Sequence, residues 1–182
     1  IKLASKLGHH LVDHFWDSEN NNFFVTSDNH EKLIIRPKSN YDLSLPSGNS
    51  VSAFVMLRLH HILHEKKFLD ITTKILESQA QMAAENPFGF GYLLNTLAIY
   101  LEKPVEITII NQENSEICQS LISKYLPNSF RVTINDSTQL EKLSEYPFFA
   151  GKTFESKTSV FVCKDFSCSL PLRSLEEIDS NL

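Results

Sequence analysis

Residues 41–50 have the sequence YDLSLPSGNS and lead from a polar segment into an apolar helical stretch. The proline and the glycine in this sequence break any preceding element, and Ser47 and Asn49 are residue types that cap helix N-termini. We therefore predict a helix that begins near Ser50, with a partly positive N-terminal end ringed by small polar groups and Asp42. The sequence favours a ligand site at this end more than anywhere else.

The predicted helices alternate between half-polar and apolar surfaces. Helices over residues 1–15 and 66–84 each have one apolar face, whereas those over 50–64 and 88–101 are apolar nearly all round and are expected to be buried. This order predicts two helical hairpins, each with one inner and one outer helix. It is the pattern of an α/α toroid, although two hairpins are too few to close the ring.

Strand composition occurs in two parts of the chain. A β-hairpin is predicted at about residues 23–36, on either side of a turn-forming run. Later in the chain, strands are predicted at 105–110, 130–134 and 159–163, with a helix over 114–126 between the first two. The β-α-β order predicts a parallel pair of strands.

The predicted fold class is mainly α with a small α/β unit. Residues 1–103 form a partial α/α toroid of two helical hairpins, and residues 104–182 form a three-stranded α/β piece. A short helix near Leu140 and a closing helix opened by Pro171 complete the second part.

Composition is that of an ordinary globular protein, with 182 residues, 42% hydrophobic, 21% charged and a net charge of −5. The chain has no basic cluster, which argues against nucleic-acid binding as its main task, and no apolar run of membrane-spanning length. The first residue is not Met and lies inside a helical pattern, so we expect a fragment of a longer protein. An odd number of cysteines, 3, favours a reducing, cytoplasmic compartment over a secreted disulfide scaffold.

Several motifs, in their order along the chain, resemble one protein family. They are Arg36-Pro37-Lys38, Asp42, Pro46-Ser47-Gly48-Asn49-Ser50, Leu57-Arg58-Leu59 and Cys163-Lys164-Asp165-Phe166-Ser167-Cys168-Ser169-Leu170-Pro171. The family is the thioredoxin-domain proteins related to spermatogenesis-associated protein twenty. Where its members usually have a Gly-Gly-aromatic pair, this chain has Asn21-Asn22-Phe23-Phe24; asparagine tolerates the left-handed backbone region, so the turn can survive.

This resemblance implies a larger assembly. Members of the family resemble a thioredoxin-like domain joined to a six-hairpin toroid similar to sugar 2-epimerases and glycosidases. The chain would then be the last two hairpins and the C-terminal α/β piece, and its partner would be the missing N-terminal part of the same protein. Toroid faces left open by the missing hairpins are expected to be apolar, and either exposed or covered by a second copy in a homodimer.

In α/α toroids the connections from outer to inner helices line the ligand face, which here means residues 16–49 and 85–88. The candidate site residues are Asp42 as the catalytic carboxylate and Arg36, Lys38, Ser47, Asn49, Phe88 and Tyr92 as ligand-binding residues. Polar groups beside aromatic rings suit a sugar, since the rings cover its C–H face. The structural alternative is that Ser47 and Asn49 cap the helix while Asp42 binds loop N–H groups.

Two functions from different classes follow. The first is a fragment of a carbohydrate-binding or sugar-epimerase-like toroid. The second is a catalytically silent scaffold that serves an attached thioredoxin-like domain. Glycoside hydrolysis needs two carboxylates across a sugar bond; Asp17 and Glu19 are candidates for the second one, but no spacing singles out either.

The histidines and cysteines predict no metal or cofactor. His10 and His14 lie on one helix face, but the pair lacks the intervening glutamate and the third ligand of a helical zinc site. Cys163 and Cys168 flank a turn at a strand end. Their default interpretation is two buried or half-buried thiols, with a disulfide or half of a metal site as the alternatives.

Overall fold

The computed structural model describes residues 1–31, 34–110 and 116–182. The chain divides into two compact units, residues 1–100 and 101–182. Helices dominate the first unit and a mixed sheet lies in the second. An α-rich fold with a small α/β unit is therefore confirmed.

The helices of the first unit follow the periodicity of the sequence closely. They are α1 (Lys2–Phe15), α2 (Gly48–Leu63), α3 (Lys66–Glu85) and α4 (Gly91–Glu102), the last preceded by a single 3₁₀ turn at Pro87–Phe90. Their core includes Val12, Met56, Leu59, Phe68, Ile75, Phe90 and Leu93. No helix in the described part of the chain is both long enough and apolar enough to cross a bilayer.

Helix α2 was expected to be buried on all faces, but one of its faces is partly exposed. Val51 is 38% exposed and Val55 is 37% exposed, whereas Ala53, Met56 and Leu57 are buried. The α2 helix packs on α3 and, less extensively, on α1. The exposed valines are therefore an apolar edge that the first unit does not cover.

A short hairpin forms earlier than predicted. Strand β1 (Trp16–Asp17) pairs antiparallel with β2 (Asn22–Phe23). In the region of the hairpin predicted over residues 23–36, the described residues form an isolated antiparallel bridge between Phe24 and Lys38, and the N–H of Val25 donates to the carbonyl oxygen of Pro37 at 2.9 Å. Leu33 of the predicted second strand lies outside the described residues.

The cause of this shift is a turn built on Asp17. Its Oδ1 accepts the backbone N–H groups of Glu19 at 3.0 Å and Asn20 at 3.3 Å, which is the local bonding that favours aspartate in turns. Asn21 follows in the left-handed region with φ 54°, so the asparagine does replace the expected glycine there.

The second unit contains a mixed sheet in the order β4-β3-β5-β6. Its elements are β3 (Val105–Ile110), α5 (Glu116–Ser123), β4 (Ser129–Ile134), α6 (Ser137–Leu143), β5 (Ser159–Lys164), β6 (Ser167–Cys168) and α7 (Leu175–Asn181). The predicted parallel pair is confirmed as β3 and β4, while β5 runs antiparallel to β3. Residues 114 and 115 of the predicted middle helix lie outside the described residues.

The closing helix begins later than predicted. Leu172 is bridged to Val160, so the chain after Pro171 is extended rather than helical. Helix α7 begins after Ser174, whose hydroxyl accepts the N–H of Glu177 at 3.2 Å in a capping box. A serine cap therefore opens the helix, and the proline does not.

Candidate functional site

Asp42 connects the N-terminal ends of two helices. Its Oδ1 accepts the N–H of Ser47 at 2.7 Å at the start of α2. Its Oδ2 accepts the N–H groups of Tyr92 at 2.8 Å and Leu93 at 3.3 Å at the start of α4. Both carboxylate oxygens therefore act as acceptors for helix N–H groups that have no partner inside their own helix.

The charge of Asp42 is stabilised by these bonds. Burial alone raises the pKa of Asp42, but the three backbone N–H groups and the Ser50 hydroxyl together hold it below its ordinary value of 3.8. Asp42 is thus an ionised acceptor at neutral pH. A general acid must carry a proton, so this environment does not favour that role.

Ser47 caps α2. It is the N-cap residue, and its hydroxyl accepts the N–H of Ser50 at 3.1 Å. Ser47 therefore has the capping role that was the alternative to ligand binding. It is buried, with 3% of its surface exposed.

Asn49 holds the loop that precedes α2. Its Oδ1 accepts the N–H of Phe23 at 2.6 Å, and its Nδ2 donates to the carbonyl oxygens of Phe23 at 3.1 Å and Ser39 at 3.0 Å. The Asn40 side-chain oxygen accepts a further bond from Nδ2 at 3.0 Å. Asn49 is 1% exposed and borders a largely apolar cavity of about 320 Å³ shared with Leu11 and other residues.

The two aromatic candidates have different environments. The Tyr92 ring packs edge-to-face on Phe54, with ring centroids 5.7 Å apart. Phe88 lies on the 3₁₀ turn and is 96% exposed. Among Asp42, Phe88 and Tyr92, the structure shows a hydrogen bond from the backbone N–H of Tyr92 to Asp42, and the convergence of the three side chains around one ligand stays a prediction.

Arg36 and Lys38 line a different cavity, which we call the Trp16 cleft. It has a volume of about 710 Å³ and is open to solvent. Its lining residues are Trp16, Asp17, Ser18, Glu19, Asn20, Phe24, Ile35, Arg36, Pro37 and Lys38. One wall is the turn between β1 and β2, and the other is the segment at residues 35–38.

An ion pair joins the two walls of the Trp16 cleft. The ammonium of Lys38 donates to Oδ2 of Asp17, which is 8% exposed as a residue. The same Oδ2 accepts the side-chain N–H of Asn20 at 2.8 Å. Lys38 is the main cause that lowers the pKa of Asp17 to about 2, against the smaller opposing effect of burial.

Phe24 lies beneath both cations of the cleft. The guanidinium carbon of Arg36 is 4.0 Å from the centre of the Phe24 ring, and the Lys38 ammonium is 4.7 Å from it. Arg36 also donates to the carbonyl oxygens of His14 at 3.0 Å and Thr26 at 2.6 Å. Arg36 therefore fixes the wall. Glu19 is exposed at the cleft surface, whereas Trp16 is half-buried and packs edge-to-face on Phe23 with ring centroids 4.9 Å apart, so only part of its indole lines the cleft.

Sequence reasoning did not select Trp16, Asn20 or Phe24. The sequence predicts Asp17 and Glu19 only as candidates for a second carboxylate, with no spacing that singles out either. The available signal was the run of turn-forming residues that follows Asp17, which indicates an aspartate bonded to its own turn. The contact of Asp17 with Lys38, across 21 positions, has no local signature.

The Asp17→Asn variant is expected to lose less stability on acidification than the wild-type chain. Because the folded pKa of Asp17 is about 2 against an ordinary 3.8, its stabilisation is complete above pH 3.8 and is lost as pH falls towards 2. We expect a difference of about 1 kcal/mol, as for an ion pair in contact with solvent. Urea unfolding at pH 5, 4 and 3 measures it.

The control for this variant is Asp13→Asn, which removes an exposed pair with Lys67 at 3.5 Å. Its stability should follow that of the wild-type chain at each pH. Parallel pH profiles for wild type and Asp17→Asn would contradict the Asp17–Lys38 pair.

Cys163 and Cys168 form a disulfide. The default interpretation of two thiols is therefore wrong, and the alternative of a disulfide is what the structure contains. The cause is strand pairing: Cys163 and Cys168 are direct partners across the β5–β6 hairpin, which places their side chains on the same face. Cys118 is buried with a free thiol.

No family model matches the chain. Human spermatogenesis-associated protein 20 is 24% identical to it over 164 residues, which are 87% of this chain and 21% of that protein. The chain is a distant relative of spermatogenesis-associated protein 20. The rat protein of that name has the same identity and coverage.

A more distant similarity involves an uncharacterised protein of Caenorhabditis elegans, which is 20% identical over 169 residues, 91% of this chain and 23% of the worm protein. The chain spans less than a quarter of the length of these curated relatives. The similarity therefore concerns one part of each relative.

Proposed function

We propose that this chain binds a carbohydrate, or a similarly hydroxylated small molecule, in the Trp16 cleft. The observation that carries the proposal is the composition of that cleft. It combines the indole of Trp16 with carboxylate, amide and cationic groups in about 710 Å³, a volume typical of small-molecule sites.

The chemistry of the cleft suits a sugar. An indole offers an apolar face to the C–H groups of a sugar ring. Glu19 and Asn20 lie on the wall that carries Trp16, and their side chains are exposed acceptors and donors for hydroxyl groups. Asp17 and Lys38 are already paired, so they are expected to orient the walls rather than to release their charges to a ligand.

The position of the cleft also fits the toroid that the resemblance implies. It lies in the connection between α1 and α2, which is an outer-to-inner connection in the proposed arrangement. The remaining hairpins and a thioredoxin-like domain would be supplied by the rest of a longer protein. We propose binding without catalysis by this chain, because Asp42 has both oxygens bonded to helix N–H groups.

Glu19→Gln is expected to weaken sugar binding about tenfold, because it removes a charge-assisted hydrogen bond to a hydroxyl. A panel of monosaccharides and disaccharides is first tested by thermal shift with the wild-type chain. The affinity of the best sugar is then measured by calorimetry for wild type and variant. Glu77→Gln, an exposed change on α3 away from the cleft, is the matched control and should leave affinity unchanged.

A second candidate is a catalytically silent scaffold for an attached thioredoxin-like domain. It is favoured by the structural bonds of Asp42, Ser47 and Asn49 and by apolar side chains exposed on the first unit. These include Leu3, Leu7, Val51, Val55 and Phe88. The missing part of a longer protein, or a second copy of the chain, would cover such a surface.

The sugar panel separates the two candidates. A thermal shift with at least one sugar, reduced by Glu19→Gln and not by Glu77→Gln, supports the binding proposal. If no sugar of the panel shifts the melting temperature, or if both variants lose the same sugar affinity, binding in the Trp16 cleft is contradicted and the scaffold is the better proposal.

A further inference from the structure

The second unit contains a disulfide, an amine and a carboxylate in one cluster. Nζ of Lys152 lies 3.8 Å from Sγ of Cys168, which is bonded to Cys163. Glu106 on β3 is the register partner of Cys163 on the side away from Cys168. The negative charge of Glu106 acts on Lys152. A cation and an anion therefore accompany the sulfur pair.

The two cysteines differ in their exposure as residues. Cys163 is 0% exposed and lies near the C-terminal end of β5, a strand that is flanked by β3 and β6. Cys168 is exposed on the edge strand β6. A thiolate that approaches from solution therefore reaches Cys168, and Cys163 is the sulfur that leaves.

Lys152 is an unusual lysine because it is only 9% exposed. Its ammonium donates to the carbonyl oxygen of Phe148 and lies 5.2 Å from the centre of the Phe148 ring. Burial lowers the pKa of Lys152, and the charge of Glu106 partly opposes this effect. A buried cation is stabilised by a nearby anion, and a thiolate on Cys168 would supply one at hydrogen-bonding distance.

We propose that Cys163–Cys168 is a thiol–disulfide exchange site for a dithiol, in which Cys168 forms the mixed disulfide with the partner, Cys163 is the leaving thiol and Lys152 stabilises the Cys168 thiolate. Lysine beside a thiol favours the reactive thiolate form. The function is separate from sugar binding, since it uses residues of the second unit alone.

The exchange balances in two steps. A thiolate of the dithiol attacks Sγ of Cys168, the bond to Cys163 breaks, and a mixed disulfide forms while Cys163 leaves as a thiolate and takes a proton. The second thiol of the partner loses its proton and attacks its own sulfur in the mixed disulfide, which releases the Cys168 thiolate beside Lys152. Two electrons pass from the dithiol, which becomes a disulfide, to this chain, which becomes the dithiol.

The first test uses the folded wild-type chain and dithiothreitol as the dithiol. Reduction should proceed under native conditions and yield one oxidised dithiothreitol per chain. In the reduced chain at pH 7, Cys168 should react with iodoacetamide about fivefold faster than the same cysteine in the urea-unfolded chain. Peptide mass spectrometry separates Cys168 from Cys163 and Cys118.

The second test assigns the effect to Lys152. Lys152→Met should remove most of the rate advantage of Cys168, and Lys152→Arg should retain it because the positive charge is kept. Lys164→Met is the matched control: it removes an exposed lysine from the same hairpin and should change the rate less than twofold.

The proposal is overturned if the disulfide resists dithiothreitol until the chain unfolds. It is also overturned if Cys168 of the folded, reduced wild-type chain reacts no faster than in the unfolded chain. Both measurements use the wild-type chain, so they remain decisive if Lys152→Met folds poorly. Equal rates in Lys152→Met and Lys164→Met would contradict the role of Lys152.

Discussion

Asp42→Asn is expected to lower the free energy of unfolding by about 3 kcal/mol. The wild-type carboxylate accepts three backbone N–H groups at 2.7, 2.8 and 3.3 Å, one from the start of α2 and two from the start of α4. Bonds to a charged acceptor contribute more than neutral ones, and N–H groups left without a partner in the interior carry the full desolvation cost. In the variant, the side-chain NH2 group of the asparagine also faces a backbone N–H group, so two donors oppose each other.

Urea unfolding at pH 7 measures this effect, with Asp70→Asn as control. Asp70 is an exposed aspartate on α3, and its amide variant should lie within about 0.5 kcal/mol of the wild-type chain. A similarly small change in Asp42→Asn would contradict the connection between α2 and α4.

The effect of Asp42→Asn is expected to shrink in acid. Because the folded pKa of Asp42 lies below its ordinary value of 3.8, its contribution is fully present above pH 3.8 and is lost as pH falls through the folded pKa. The difference between the unfolding free energies of wild type and variant should therefore be smaller at pH 3 than at pH 5 and pH 7.

Asn49→Ala is expected to destabilise the first unit by about 3 kcal/mol. The side chain has four hydrogen-bond partners: the N–H of Phe23, which donates to Oδ1, and three acceptors that share the two Nδ2 hydrogens, which are the carbonyl oxygens of Phe23 and Ser39 and the side-chain oxygen of Asn40. Truncation leaves the Phe23 groups without these partners beside an apolar cavity, and buried groups of this kind are costly. Calorimetric unfolding and urea titration both report the loss.

Asn95→Ala provides the matched control for Asn49. Asn95 is exposed on α4, where alanine has the higher helix propensity, so the control should be neutral or slightly stabilising. Asn49→Ala and Asn95→Ala of equal stability would show that Asn49 does not hold the loop.

Local sequence signals were sufficient for most of the fold. The helix from Gly48 to Leu63 follows from a serine cap and a long apolar run, and the parallel pairing of β3 with β4 follows from strand–helix–strand order. Each of these features depends on residues close together in the chain.

The errors arose where a distant or competing contact decides the structure. Strand composition at residues 23–36 did not indicate the pairing of Trp16 with Phe23, which the turn bonds of Asp17 favour. Pro171 was outweighed by the pairing of Leu172 with Val160 and by the cap at Ser174. Residue propensities alone do not show whether a local strand or helix signal or a competing contact decides the structure.

The candidate site was predicted in its residue types better than in its geometry. Asp42 and Asn49 were selected as polar residues at a helix N-terminus, and the structure places both there. Their bonds, however, are with backbone groups up to 51 positions away in the sequence. Hydrophobic periodicity does not predict hydrogen bonds between residues so far apart in the sequence. The sequence alone therefore did not distinguish residues that bind a ligand from residues that hold the helix ends and the loop in place.

Backbone amide chemical shifts recorded during a sugar titration test the central claim most directly. With the best sugar of the panel, we predict that the shifts change for residues 16–20 and 35–38 and return to baseline in Glu19→Gln, while the amides of Ser47 and Tyr92 keep their shifts. Changes centred on Ser47 and Tyr92, with residues 16–20 unaffected, would place the ligand at Asp42 and contradict a site in the Trp16 cleft.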